Sequence, residues 1–150
     1  MSLEENKAIV RGVIEAENKH NPALMDEFIA LDFVSDPDTP AEVRGLESLK
    51  QIYTQYYKGF PDLIGTIEDI IAEGDEVWVR YTGTGTHTGE FMGIAPTGKK
   101  VTLKAFCIYR IVDTKVVEWR QVVDMLDFYK KLGVIEYTET GKKLFPEDVK

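Results

Sequence analysis

Thr66-Ile67-Glu68-Asp69-Ile70-Ile71-Ala72, the turn Glu73-Gly74-Asp75, and Glu76-Val77-Trp78-Val79-Arg80-Tyr81-Thr82-Gly83-Thr84-Gly85-Thr86-His87 form one continuous stretch of the chain. Its apolar and polar residues alternate, and it is rich in Val, Ile, Thr, Tyr and Trp. That is the pattern of half-buried strands joined by a tight hairpin. The pattern returns downstream in Val101–Val112 and Lys115–Val123, with Asp113-Thr114 as the second turn. Between the hairpins lies the glycine-rich run Gly89-Glu90-Phe91-Met92-Gly93-Ile94-Ala95-Pro96-Thr97-Gly98, expected to hold little regular structure.

Upstream of Pro61 the period is helical instead. From about Leu3 to Lys19, Ile9, Val10, Val13 and Ile14 share one face. Asn21-Pro22 offers an N-cap and a first-turn proline for a short second helix with Leu24, Met25, Phe28 and Ile29 inward. Pro37 and Pro40 mark a loop, and Leu46 to Lys58 reads as a third helix carrying Leu49, Tyr53 and Tyr56, with Phe60 just beyond. Met125–Leu132 is a last helix stopped by Gly133, and Ile135–Lys150 is a mostly polar tail. Helices first and long antiparallel strands afterwards describe an α+β fold. A curved sheet wrapped around N-terminal helices leaves a pocket at its open end. The expected organisation is one domain, residues 1–134, with a C-terminal tail, 135–150.

Composition narrows the function. The 150 residues carry 26 acidic against 18 basic side chains, a net charge of −8 that disfavours nucleic acid and anionic membrane as partners. The first residues lack a basic start and an apolar run, and no stretch approaches a membrane span. The single cysteine, Cys107, cannot form an internal disulfide, so the expected compartment is cytoplasmic.

The chemical motifs are few. Gly83-Thr84-Gly85-Thr86-His87-Thr88-Gly89 lacks the spacing of a dinucleotide loop and reads as a bending strand. His20 and His87 stand alone, with no metal spacing around them. His87, at a strand end, has a side chain suited to proton transfer near neutrality. Asp124 either caps the last helix or serves as an acid or base in the pocket. Cys107 reads as core packing. In Lys115–Val123 two registers are open: Trp119, Gln121 and Val123 inward, or Glu118 and Arg120 inward.

The segment Gly85 to Val101 resembles the signature of SnoaL-like proteins. Tyr109-Arg110-Ile111-Val112-Asp113, Lys115-Val116-Val117-Glu118, Val123-Asp124-Met125-Leu126 and Lys131-Leu132-Gly133 resemble the family's C-terminal half, and the likeness spans residues 5 to 133. The resemblance implies the cone fold of nuclear-transport-factor-like proteins and a polyketide-cyclase type of chemistry. It implies that the cyclases' acid/base aspartate falls at Gln121 and an assisting histidine at Cys107, while His87 and Asp124 match recurrent family residues.

The resulting expectation is a protein that binds a small, mostly apolar carbonyl compound. In one form it is an acid/base enzyme needing no cofactor or metal, performing cyclase- or isomerase-type enolisation. His87 and Asp124 are then the proton carriers, and Gln121, Tyr109, Trp119 and Cys107 line the pocket. The alternatives are a non-catalytic binding protein that has lost the cyclase aspartate at Gln121, and a purely structural or oligomer-forming domain. A homodimer through the outer face of the sheet is expected in each case.

Overall fold

The computed structural model describes residues 1–150. Helix α1, Leu3–Asn18, starts in a capping box: the Glu5 backbone N–H donates to Ser2 Oγ and the Ser2 backbone N–H to the Glu5 carboxylate. Asn6, Val10, Val13 and Glu17 recur along its buried side. A 3-10 turn, Pro22–Glu27, leads to strands β1, Ile29–Ser35, and β2, Val43–Arg44. Helix α2, Leu46–Gly59, buries Leu46, Leu49 and Tyr53. Four long strands follow: β3, Ile64–Glu73; β4, Glu76–Thr86; β5, Lys100–Val112; and β6, Lys115–Val123. Helix α3, Met125–Leu132, ends at Gly133, which is left-handed with φ 76°. Helix α4, Glu139–Leu144, lies in the tail.

The six strands form one sheet ordered β2-β1-β6-β5-β4-β3. The two hairpins pair Glu73 with Glu76 and Val112 with Lys115. Asp113 and Thr114 both have positive φ, 48° and 66°, as a two-residue turn matching strand twist requires. Strand β1 runs parallel to β6, so the sheet is mixed and not purely antiparallel.

That strand departs from the sequence expectation, which ended the second helix at Ile29 and followed it with a loop. Burial along β1 falls at Ile29, Phe33 and Ser35, and its register with β6 shifts between Ile29 and Val34. The irregularity removes the strict alternation by which a strand is recognised. The tail likewise holds a short helix, none of whose residues is buried.

Two apolar clusters hold the molecule together. The larger joins α1, α2 and the concave face of the sheet through Val10, Val13, Phe33, Tyr53, Val79 and Tyr109. The smaller, Phe60, Phe91, Val101, Phe128 and Leu132, ties α2, the glycine-rich loop and α3 together. Gly89 is required here: a Cβ would lie 1.9 Å from the Lys58 carbonyl oxygen, and its N–H donates to the Gly59 carbonyl at 3.1 Å. The glycines of this stretch thus let the loop close on the end of α2, and no phosphate cradle is formed.

Candidate active site

Between α2, the 36–43 loop, α3 and the concave sheet lies a cavity of about 510 Å³, and 18 of its 25 lining residues are hydrophobic. Its walls follow from strand alternation. Along β4 the inward residues are Val77, Val79, Tyr81, Gly83 and Gly85, while Trp78 and Arg80 face out. Pairing of Tyr109 with Trp119, Cys107 with Gln121 and Ala105 with Val123 places all six on the wall. The register left open by the sequence is therefore Trp119, Gln121 and Val123 inward. Glu118 is on the other face, bonded to Arg110 at 3.2 Å and Arg120 at 2.8 Å.

Of the sequence candidates, Gln121, Tyr109, Trp119 and Cys107 line the cavity. The Tyr109 and Trp119 rings stack with centroids 5.1 Å apart, and the indole N–H of Trp119 is buried without a partner. Burial pushes the Cys107 thiol up to about 12, so it is a neutral wall group and no nucleophile.

His87 and Asp124 do not line the cavity. His87 is fully buried behind the wall, stacked on Phe60 at 5.2 Å. Its Nδ1 accepts from the Thr97 backbone N–H at 3.3 Å and lies 3.0 Å from Thr97 Oγ. Asp124 caps α3, its carboxylate accepting from the Asp127 N–H at 3.1 Å.

Two carboxyl groups on the wall had no place among the sequence candidates. Asp36 follows β1 and extends its pairing with β6: its N–H donates to the Trp119 carbonyl at 2.7 Å. Its φ of 44° is a left-handed conformation that aspartate tolerates better than most residues. That geometry turns its carboxylate onto Gln121, whose backbone N–H donates at 2.8 Å and whose side-chain Nε2 donates at 3.3 Å. Nothing local in Asp36-Pro37-Asp38 announces this, because the contact spans 85 positions.

Glu17 sits at the α1 side of the cavity and is 5% exposed. Its Oε1 accepts from the Tyr81 hydroxyl at 2.8 Å, and its Oε2 is buried with no partner. Burial pushes the carboxyl up to about 7, against the opposing pull of the Tyr81 hydrogen bond. Tyr81 reaches it because Gly65 clears the way, where a Cβ would lie 2.5 Å from the hydroxyl oxygen. The end of α1 is pinned nearby: Asn18 Nδ2 donates to the Gly65 carbonyl at 2.9 Å, and the Gly65 N–H to Asn18 Oδ1 at 2.7 Å. A signal for Glu17 was present in the sequence, since positions 6, 10, 13 and 17 form one helical stripe.

No group of three or more His, Cys, Asp or Glu side chains is arranged to hold a metal ion, and no helix is long and apolar enough to cross a membrane.

Comparison with known proteins agrees with this architecture. The family model described as SnoaL-like polyketide cyclase matches residues 7–132. DnrD of Streptomyces peucetius, an aklanonic acid methyl ester cyclase, is 30% identical over 129 residues, covering 83% of this chain and 88% of its own. AclR of Streptomyces galilaeus, for which a hydroxylase activity has been suggested, superposes with a TM-score of 0.82 at 32% identity, over 95% of each chain. TsrD of Streptomyces laurentii shares the fold, with a TM-score of 0.81 at 22% identity over 90% of this chain and 99% of its own. With its cone of helices on a curved sheet and its matched length, the chain belongs to the SnoaL-like polyketide cyclase family.

Proposed function

We propose that the protein is an acid/base enzyme acting on a small, mostly apolar carbonyl compound of the polyketide ester class, and that Asp36 is its proton acceptor. The observation that carries this reading is the Asp36 carboxylate held on Gln121 at the cavity wall. Where the family's cyclases place an aspartate, this chain has an amide, which cannot take up a proton at neutral pH. Asp36 brings a carboxylate to that amide from the neighbouring strand, and two donated hydrogen bonds fix its direction.

The chemistry is enolisation. Asp36 removes a proton from a carbon flanked by two carbonyls, and the electron pair moves into an enolate. The enolate carbon closes a bond onto a ketone carbon of the same molecule, and the alkoxide so formed takes a proton. The balance needs neither oxidant nor reductant. The apolar wall supports the step by keeping water from the enolate. DnrD, whose named substrate is a methyl ester, supports the substrate class.

The second reading, a non-catalytic binding protein, rests on Gln121 itself. One experiment separates the two: solvent deuterium exchange at the carbon between the carbonyls of methyl 3-(2-naphthyl)-3-oxopropanoate. Enzyme-dependent exchange that falls about a hundredfold or more in Asp36→Asn supports catalysis, in the range of a lost general base. Binding of the ester without accelerated exchange establishes the binding protein.

The enzyme acts as a homodimer through the convex face of the sheet, where Ile71, Trp78, Phe106 and Val122 lie exposed on adjoining strands.

A further inference from the structure

Glu17 is the one buried carboxyl among the cavity-lining residues, and the proposed reaction gives it no task. A carboxyl in an apolar wall costs stability unless its polar atoms are satisfied, so an unpaired oxygen there calls for an explanation. The hydrogen-bond geometry is asymmetric. Tyr81 donates to Oε1 at 2.8 Å, and in that arrangement Oε1 is the acceptor. A proton on the carboxyl therefore resides on Oε2, the atom with no partner. The protonated group would present an unmatched O–H donor beside the cavity, and the ionised group an unmatched acceptor.

The titratable groups around it are Tyr53, Tyr56 and Tyr57 of α2, Tyr81 of β4, and Cys107 and Tyr109 of β5. His20 lies beyond Tyr57, its ring stacked on the Tyr57 ring at 4.5 Å and turned to the Leu63 carbonyl at 2.6 Å. Tyr57 is occupied, its hydroxyl donating to the Glu17 backbone carbonyl at 3.0 Å. Burial holds the Tyr53, Tyr81 and Tyr109 hydroxyls protonated, well above their ordinary range. The Tyr81 hydrogen bond is the one contact that favours the ionised form, and burial outweighs it, so the balance is tipped toward the neutral carboxyl.

Resting on the carbonyl-compound reading of the cavity, we infer that Glu17 is a carbonyl-binding acid: its protonated carboxyl donates from Oε2 to a ketone or quinone oxygen at the inner end of the ligand. Asp36 then takes a proton at one wall while Glu17 holds a carbonyl at another. The two carboxyls divide the work because their surroundings differ, one resting on donated hydrogen bonds and the other buried among apolar groups. The ligand is required to carry an acceptor oxygen at the end that enters first.

The test uses a matched pair of probes, 2-acetylnaphthalene and 2-isopropenylnaphthalene, which differ in C=O against C=CH2. Their dissociation constants are measured at about pH 5.5 and about pH 8.5, on either side of the Glu17 titration near 7. At the lower pH the wild type binds the ketone about tenfold more tightly, the worth of one net hydrogen bond, and at the higher pH this preference disappears. Glu17→Gln, whose amide keeps a donor at every pH, retains a preference at both. Glu17→Leu has none at either. Equal binding of the two probes by the wild type at both pH values overturns the inference, as does an unchanged pH dependence in Glu17→Gln. A ligand-free readout stands beside it: the infrared band of a buried protonated carboxyl is present in the wild type at low pH, lost at high pH and missing in Glu17→Gln. Absence of that band from the wild type at low pH overturns the inference as well. A ketone preference in a wild type that shows no exchange activity supports Glu17 while rejecting catalysis. Failure of both probes to bind overturns the cavity reading on which Glu17 depends.

Discussion

Glu17 carries the clearest consequence of burial in this protein, and it can be read from stability alone. Its folded-state value, about 7, lies above its ordinary 4.5, so the folded chain holds the proton more tightly than the unfolded one. Between these two values the folded state binds more protons, and stability falls as pH rises through that window. The penalty is absent below it and complete above about 7, at roughly 3 kcal/mol. Glu17→Gln removes the titration. The variant should therefore gain stability over the wild type at about pH 8 by more than it does at about pH 4, as thermal melts at the two pH values will show. Gln121 is the opposite case. Gln121→Asp would set a second carboxylate against Asp36 and remove the amide donor it relies on, at a cost of about 1–3 kcal/mol. Because the family resemblance implies an acid/base aspartate at this wall position, the same variant should raise exchange into the β-keto ester if one of the paired carboxyls remains ionised. Melting and exchange measured on one preparation check both halves. For Glu17 the sequence held a usable periodicity. For Asp36 it held none, since a residue in a stretch that reads as loop is placed only by the strand it joins.

Helix α1 positions Glu17 through its last turn, and that turn is fixed to β3 by the paired Asn18–Gly65 hydrogen bonds. Gly65 also makes room for the Tyr81 ring. Gly65→Ala should displace Tyr81 and break its bond to Glu17. The bond lowers the carboxyl's proton affinity, so its loss should raise the infrared titration midpoint of Glu17 further. A midpoint that stays near 7 would show that Tyr81 has not moved. At the other end of the chain, α4 buries no residue. The tail touches α3 through the Lys130–Asp148 pair at 2.6 Å and through Lys130 over the Phe145 ring at 4.5 Å, both partly exposed. Such contacts are worth little, so a chain ending at residue 134 should melt within a few degrees of full length. A drop of about ten degrees or more in calorimetry would show that the tail closes the cavity rim.

The whole molecule presents one face that a monomer leaves costly. Val122, Phe106 and Trp78, at 75, 64 and 48% exposure, lie together on the convex side of the sheet. Burying them between two copies would remove that apolar surface from water. Light scattering at micromolar concentration should give twice the 17.0 kDa chain mass, and Phe106→Glu with Val122→Glu should return it to one. A wild-type protein that scatters as a single chain would remove the dimer.

The alternation of β4, β5 and β6 was legible residue by residue because each strand has one face in the core, and a period of two records that directly. Helical stripes and the two hairpin turns were legible for the same reason: local backbone geometry leaves a local pattern. With them came the fold class and the residues that could line a pocket, while the family came from the likeness of segments such as Gly85 to Val101. Which face of β6 turned inward was not legible, because both registers put apolar and polar residues on each side, and only pairing with β5 chose Gln121 over Glu118. Strand β1 was hidden by its bulge, and with it the parallel partner of β6 and the placement of Asp36. His87 and Asp124 have the right chemistry, but the wall ran past them on residues to either side. Side-chain chemistry is a property of the chain, whereas the choice of which groups share a cavity depends on contacts tens of positions apart, and those exist only once the sheet has curved around the helices.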